Sequence, residues 1–222
     1  MQLSKRLECI FQMINPCQCI CDIGTDHAHI PIAAIQSGVA QKAIASDVRK
    51  GPCDVARKNI SAHGLSQQIE VRMGSGFQTV KPGECDCAVI AGMGGHLMLD
   101  LFGEAKETLK QCKQLVVQPQ NALERIRTFF YEEGYAIQSE KLVYEEGKFY
   151  TVFSVAYTGE KVEKERIDTY IGEGLLQGPD PLLEAYLEKE IERLQRILAQ
   201  TEQEEVVWLL QQYQEIKENL KK

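Results

Sequence analysis

The stretch Cys21-Asp22-Ile23-Gly24-Thr25-Asp26-His27-Ala28 joins a short apolar run, Cys17–Ile23, to a helical pattern over 28–37 with a single glycine at the turn. A strand that ends in a tight turn and feeds a helix is the first half of a β–α unit. The alternation then repeats along the chain. Strand patterns at 42–46, Ile69–Met73, 87–91 and 115–118 are followed by helical or glycine-rich stretches, with helices expected over 52–63, 97–109 and 122–133. A helix over 3–14 precedes the series, with Leu3, Leu7, Ile10 (or Phe11) and Ile14 at helical spacing. Two strand-like runs close it, 136–144 and 149–157, joined by Glu145-Glu146-Gly147-Lys148 as a hairpin. Strands alternating with helices predict a mostly parallel, doubly wound α/β sheet, here of seven strands. Ligands in such sheets bind beyond the carboxyl ends of the strands, near the topological switch.

The residues at those ends point to a nucleoside ligand. A dinucleotide fold places G-x-G-x-x-G at the first turn to bring backbone against a pyrophosphate. This turn has one glycine and two carboxylates, Asp22 and Asp26. Asp26 beside a diphosphate would be repulsive, which disfavours a nicotinamide or flavin dinucleotide. A cationic cofactor such as S-adenosylmethionine, with its sulfonium and ammonium, suits the loop. Asp47 ends the second strand, where bidentate bonding to a ribose diol is usual in related folds. Asp22 or Asp47 alone reads equally well as a helix N-cap; the two at consecutive strand ends favour the nucleoside. Gly74-Ser75-Gly76 ends the third strand, where an adenine would lie, and Ala91-Gly92-Met93-Gly94-Gly95-His96 ends the fourth, facing the transferred group. The expected cofactor set is Asp22, Gly24, Thr25, His27, Asp47, Val48, Gly74, Ser75, Gly76, Ala91 and Gly92. Asp26, Gly92 and Met93 are the expected catalytic positions.

The chain carries 25 Lys and Arg against 32 Asp and Glu, a net charge of −7. That balance at first argues against a polyanionic partner. The charges are uneven, however. Residues 1–158 carry 16 basic and 17 acidic side chains, whereas 159–222 carry 9 and 15. The near-neutral part holds three basic pairs, Lys5-Arg6, Arg49-Lys50 and Arg57-Lys58, which are candidates for phosphate contacts.

Eight cysteines include Cys17, Cys19 and Cys21 at two-residue spacing, repeated by Cys85 and Cys87. On a strand this spacing suits small buried hydrophobes, and with no C-x-x-C pair the reading is reduced thiols and no metal. No apolar run approaches the ~20 residues of a membrane span, and the N-terminal stretch lacks a signal peptide's apolar core, so a cytoplasmic protein is expected. Beyond residue 158 the breakers Gly172-Glu173-Gly174 and Gly178-Pro179-Asp180-Pro181 precede two apolar stripes. Leu183, Leu187, Ile191, Leu194 and Leu198 form the first; Val206, Leu209 (or Leu210), Tyr213, Ile216 and Leu220 form the second. A capping-box pattern, Thr201-Glu202-Gln203-Glu204, separates them. The expected organisation is a Rossmann-like domain over 1–158 and a coiled-coil-like helical hairpin over 159–222, in a monomer or a weak dimer formed through those helices.

Five stretches together resemble the bacterial tRNA (adenine-N1)-methyltransferase family acting on adenosine 22, the TrmK family. They are Leu3-Ser4-Lys5-Arg6-Leu7, the 22–28 loop, Ile90-Ala91-Gly92-Met93-Gly94-Gly95, Val117-Gln118-Pro119-Gln120-Asn121, and Glu145-Glu146-Gly147-Lys148-Phe149-Tyr150. The resemblance covers residues 1–158. It implies a class I methyltransferase fold, S-adenosylmethionine as donor and tRNA as substrate. Two positions depart from the family pattern. Ser75 stands where the family has Asp, and a serine bonds a nucleoside edge more weakly than a carboxylate does. His29 stands where the family has an aromatic residue that could stack on the target base.

Adenine N1 has an in-plane lone pair and needs no deprotonation before taking up a methyl group, so the site must supply positioning and an acceptor for N6–H. Asp26 is the candidate acceptor; capping the following helix is the structural alternative. The competing functional readings are a methyltransferase of another RNA or of a small molecule, and a non-enzymatic RNA-binding module with a vestigial cofactor pocket. Cofactor binding and the identity of the methylated acceptor discriminate them.

Overall fold

In the computed structural model the chain is described over residues 2–178, 180–201 and 203–220. The strands are β1 (Cys17–Ile23), β2 (Ala40–Asp47), β3 (Ile69–Met73), β4 (Cys87–Met93), β5 (Gln114–Pro119), β6 (Tyr135–Glu145) and β7 (Lys148–Tyr157). The helices are α1 (Lys5–Gln12), α2 (His29–Gln36), α3 (Lys50–Ala62), α4 (Gly95–Glu104), α5 (Lys106–Gln111), α6 (Leu123–Glu133), α7 (Arg166–Tyr170), α8 (Glu173–Gln177), α9 (Leu183–Leu198) and α10 (Glu204–Asn219). One sheet runs β3-β2-β1-β4-β5-β7-β6, with β7 antiparallel to both of its neighbours. The order reverses between β1 and β4, and the cleft beyond their carboxyl ends is the topological switch.

Each face of the sheet buries one helical layer. Ile10 of α1, Ile30 and Ile32 of α2, and Ala56 and Ile60 of α3 cover one face. Met98 and Phe102 of α4, Leu109 of α5, and Ile126 and Phe130 of α6 cover the other. Each fully buried Ile, Leu, Met or Phe among them contributes about 1.5–3 kcal/mol. Because both faces are covered, β4 and β5 read as continuous apolar runs rather than as alternating ones.

Local departures from the sequence reading have local causes. The helix expected over 97–109 is two helices broken at Ala105 (φ −112, ψ 16), where Gly103 weakens the run and the break keeps Leu109 and Cys112 in the core. After β3 the chain makes only a 3₁₀ turn, Gly76–Thr79, so one of the five expected β–α alternations lacks an α-helix. The hairpin turn is as read: Glu146 (φ 50) and Gly147 (φ 77) both take left-handed backbone, the two-residue connection that matches strand twist. Gly172-Glu173-Gly174, read as a breaker, lies partly in α8, and a capping box formed by Glu165 and Asp168 starts α7, which the sequence reading did not place. Of the capping box expected at 201–204, Glu202 lies outside the described residues, as does Pro179 of the 178–181 breaker. Helix α10 begins after Gln203 with no side-chain cap.

Helices α9 and α10 pack antiparallel around Leu187, Leu194, Leu209 and Tyr213, and this cluster continues onto Leu142 of β6. The connecting segment is tied to the sheet domain by a buried ion pair. Arg127 of α6 (1% exposed) meets Glu140 of β6 (0%), and its Nη1 donates to the carbonyls of Thr169 and Tyr170, each at 2.9 Å. Gly172 approaches Glu140 so closely that a side chain there would collide with the carboxylate.

All eight cysteines are free. Burial pushes the Cys17 and Cys19 thiols up to about 11, and Cys21 Sγ lies 2.9 Å from Cys85 Sγ inside the core. These are neutral packing thiols, as their spacing suggests. Among the described residues, no helix is long and apolar enough to cross a membrane.

Candidate active site

The loop after β1 is fastened to β2 by two backbone bonds. The N–H groups of Gly24 and Thr25 both donate to the Ser46 carbonyl at 2.8 Å. Gly24 has φ +79, a conformation other residues rarely adopt. The Met93 methyl group folds against it, leaving no room for a side chain. Below this turn Asp22 is 8% exposed, and burial pushes its carboxyl up to about 6. Thr25 beside it partly offsets that shift. Thr25 Oγ1 and Ser46 Oγ are buried without a hydrogen-bond partner among the described residues. Buried hydroxyls are nearly always paired, so two orphans at one turn are an exception that calls for a partner.

Asp47 is 7% exposed. Its Oδ1 accepts the Arg49 backbone N–H at 2.7 Å and Arg49 Nε at 3.3 Å. With one oxygen so committed, the carboxylate is held in place, and its other oxygen has no hydrogen-bond partner among the described residues. Gly24, Asp47, Val48, Gly74, Ser75, Gly76 and Met93, all expected from the sequence, line one cavity of ≈ 120 Å³. Ile23, Leu97 and Leu101 line it as well and were not foreseen. Val48 and Leu97 are 63% and 52% exposed, large apolar side chains left at a cleft edge. A side chain at Gly74 would sit 2.7 Å from Thr79 Cγ2, and one at Gly76 would strike Leu101, so the third-strand loop is kept bare. Asp22, Thr25, His27, Ala91 and Gly92 do not line this cavity: the first two lie buried by the β1 turn, and Gly92 belongs to a neighbouring cluster.

That cluster is built at the ends of β4 and β5. Gly92 (φ +75) sits at an irregularity in the β4–β5 register. The Gln120 N–H donates to the Met93 carbonyl and the Gly95 N–H to Asn121 Oδ1, each at 2.8 Å, which knits the two loops together. Arg6 reaches this point from α1. Its Nη1 donates to Gln118 Oε1 at 2.8 Å and lies 3.5 Å from where a Gly92 side chain would begin. Its guanidinium also lies over Tyr150, 5.6 Å from the ring centroid. Gln118, Gln120, Asn121 and Tyr150 were not assigned site roles from sequence. Their only signal there was membership of the Val117–Asn121 and Glu145–Tyr150 stretches.

Asp26 is 69% exposed and lies 3.1 Å from His27 Nε2. It does not cap α2: the N-cap is Ala28 in left-handed conformation (φ 56), with no side-chain bond. The His27 and His29 rings stack at 5.2 Å, and burial together with His27 pushes the His29 pKa down. Among the expected phosphate-binding cations, Lys5 and Lys58 are exposed without an ion pair among the described residues. Arg49 pairs with Asp47, and Lys50 and Arg57 both pair with Asp54. The three basic pairs therefore differ: one arginine is committed to the β4–β5 cluster and one to the cleft carboxylate.

A family model described as a methyltransferase domain matches residues 3–153. The chain is 35% identical over 179 residues to the tRNA (adenine(22)-N(1))-methyltransferase of Bacillus subtilis, covering 81% of this chain and 74% of that protein. Among solved structures, the Streptococcus pneumoniae protein Sp1610 in complex with S-adenosyl-L-methionine superposes with a TM-score of 0.90 at 30% identity, over 97% of this chain and 100% of that one. M. capricolum TrmK in complex with S-adenosyl-homocysteine gives 0.84 at 26% identity, over 100% and 99%.

Proposed function

The chain belongs to the tRNA (adenine(22)-N1)-methyltransferase family, and from that premise we infer that it methylates N1 of adenosine 22 in tRNA with S-adenosylmethionine as donor. The observation that carries the reading is the cavity at the topological switch, where a fixed Asp47 carboxylate and bare glycine loops meet next to the turn that holds two orphaned hydroxyls. These residues fit the donor. The free oxygen of Asp47 suits a ribose diol, Val48 and Leu97 suit the faces of an adenine, and Gly74-Ser75-Gly76 lets that base approach the backbone. Ser75 offers a hydroxyl where a carboxylate would bond more strongly. Asp22 supplies negative charge under the β1 turn. When bound, S-adenosylmethionine supplies a sulfonium-activated methyl group.

The chain's own residues then act on the acceptor. Adenine N1 carries no proton at neutral pH, so no general base is required there. Gly92 leaves open space beside Arg6, Gln118 and Gln120, and Met93 folds over the β1 turn. The Asp26 carboxylate, uncommitted to α2, accepts N6–H and opposes the positive charge that builds on the ring. His29, Lys5 and Lys58 offer a ring and cations for the surrounding RNA. We assign residues 1–158 to the catalytic domain and 159–222 to a helical hairpin that extends the RNA-facing surface.

Incubation with unfractionated tRNA and labelled donor, followed by nucleoside analysis and mapping, tests the reading. N1-methyladenosine at position 22 is expected; label in another nucleoside, or donor binding without transfer to any tRNA, would overturn it. The Asp22 environment adds a pH signature. A protonated carboxyl loses its attraction for a cationic ligand, and burial places that change at about 6. Donor affinity measured by calorimetry should therefore tighten about ten-fold between about pH 5 and about pH 7.5, following the ionised fraction of this one group. Asp22→Asn should bind more weakly and flatten the profile; a flat profile in the wild type would remove Asp22 from the donor site.

A further inference from the structure

A second and larger cavity, ≈ 620 Å³, opens between the β6–β7 hairpin and the helical hairpin. Its lining includes the aromatic side chains Phe149, Tyr150 and Tyr170 and the cations Lys148, Lys189 and Arg193. Lys148 is exposed and forms no ion pair among the described residues. Lys189 lies over the Phe149 ring at 5.6 Å and donates to the Gly147 carbonyl. Of the two carboxylates in the lining, Glu190 is already neutralised by Arg193 at 2.7 Å. Aromatic faces beside unneutralised cations are the combination that holds unpaired nucleotides: rings stack on bases and cations meet phosphates.

The cavity adjoins the methyl-transfer site through shared residues. Gln120 lines it, and the same side chain lies 3.9 Å from where a Gly92 side chain would begin. Tyr150 lines it too, and carries Arg6 of the β4–β5 cluster over its ring. An adenine whose N1 edge is to be reached must leave its stack, which costs its neighbour a stacking partner. A second pocket one step away restores that partner.

We propose that this cavity holds a second, unstacked nucleotide of the tRNA, adjacent in the chain to the methylated adenosine. Its base stacks on Phe149 and Tyr170, its edge meets the Gln120 amide, and its phosphate meets Lys148 and Lys189. The inference rests on the tRNA reading above.

Phe149→Leu combined with Lys148→Ala tests it while keeping an apolar side chain at 149. The double variant should bind tRNA about ten-fold more weakly, the size of one lost base–aromatic stack. Its donor affinity should equal that of the wild type, which also reports that it is folded. A photoreactive benzoylphenylalanine placed at position 149 should cross-link to nucleotides flanking the methylated adenosine. Methylation at adenosine 22 by the wild type, together with unchanged tRNA affinity in the variant, overturns this inference alone. So do cross-links confined to distant parts of the tRNA. If the wild type methylates no tRNA, the functional reading fails and this inference fails with it.

Discussion

Arg127→Met is expected to destabilise the protein by about 3–5 kcal/mol, because it leaves the Glu140 carboxylate buried without its counter-charge. Glu140 is 0% exposed, has Gly172 pressed against it, and receives both Nε and Nη2 of Arg127. The same guanidinium holds the Thr169 and Tyr170 carbonyls, so the substitution also releases the segment that leads into the helical hairpin. For a chain of this length the loss corresponds to a fall of roughly 10 °C in Tm. Thermal unfolding of Arg127→Met beside Arg127→Met/Glu140→Leu separates the two contributions. The double variant removes both charges and should recover most of the loss, since an apolar pair is often as stable as a buried ion pair. Equal destabilisation in both variants would place the cost in the two lost carbonyl bonds.

Asp26→Ala should lower the methylation rate about 100-fold, the cost usual for removing one group aimed at developing charge, and leave donor affinity nearly unchanged. The structure strengthens this expectation by removing the alternative. Asp26 does not cap α2, whose N-cap is Ala28, and its side chain is 69% exposed beside His27. Its one ion pair among the described residues is to the exposed His27, so it can be replaced without unfolding the loop, and a large rate loss would report chemistry. Asp26→Asn keeps an oxygen for N6–H but not the charge, and should fall between the two. Single-turnover methylation at saturating tRNA, paired with calorimetry for the donor, gives the split. Equal loss of donor binding and rate would instead assign Asp26 to the cofactor.

Much of the cleft at the strand ends was legible in the chain. Asp22, Gly24, Asp47 and the 74–76 loop stand at strand ends, and strand ends can be read because the apolar period changes there. Gly24 lies in left-handed backbone, a conformation that a lone glycine at a strand end already signals in the chain. Gln118 and Tyr150 were not legible in the same way. A glutamine inside an apolar strand signals nothing until Arg6, 112 positions away, is seen to bond it. The surroundings of the basic pairs were not legible for a similar reason: adjacency in sequence does not reveal that Arg49 pairs with Asp47 and Arg57 with Asp54.

The sequence by itself determined the β–α alternation, the closing hairpin and the strand ends at which the cleft opens, because each follows from periodicity and turn chemistry over a few residues. Only the tertiary structure decided which polar groups are sealed in. Arg127 on α6 and Glu140 on β6 look like solvated charges in the chain, and they become a buried tie because α7 and α8 close over them. It also decided that the helical hairpin leans on the β6–β7 hairpin with a 620 Å³ aromatic cavity between them. Burial and long-range juxtaposition depend on how whole elements pack, and no local pattern encodes that distance.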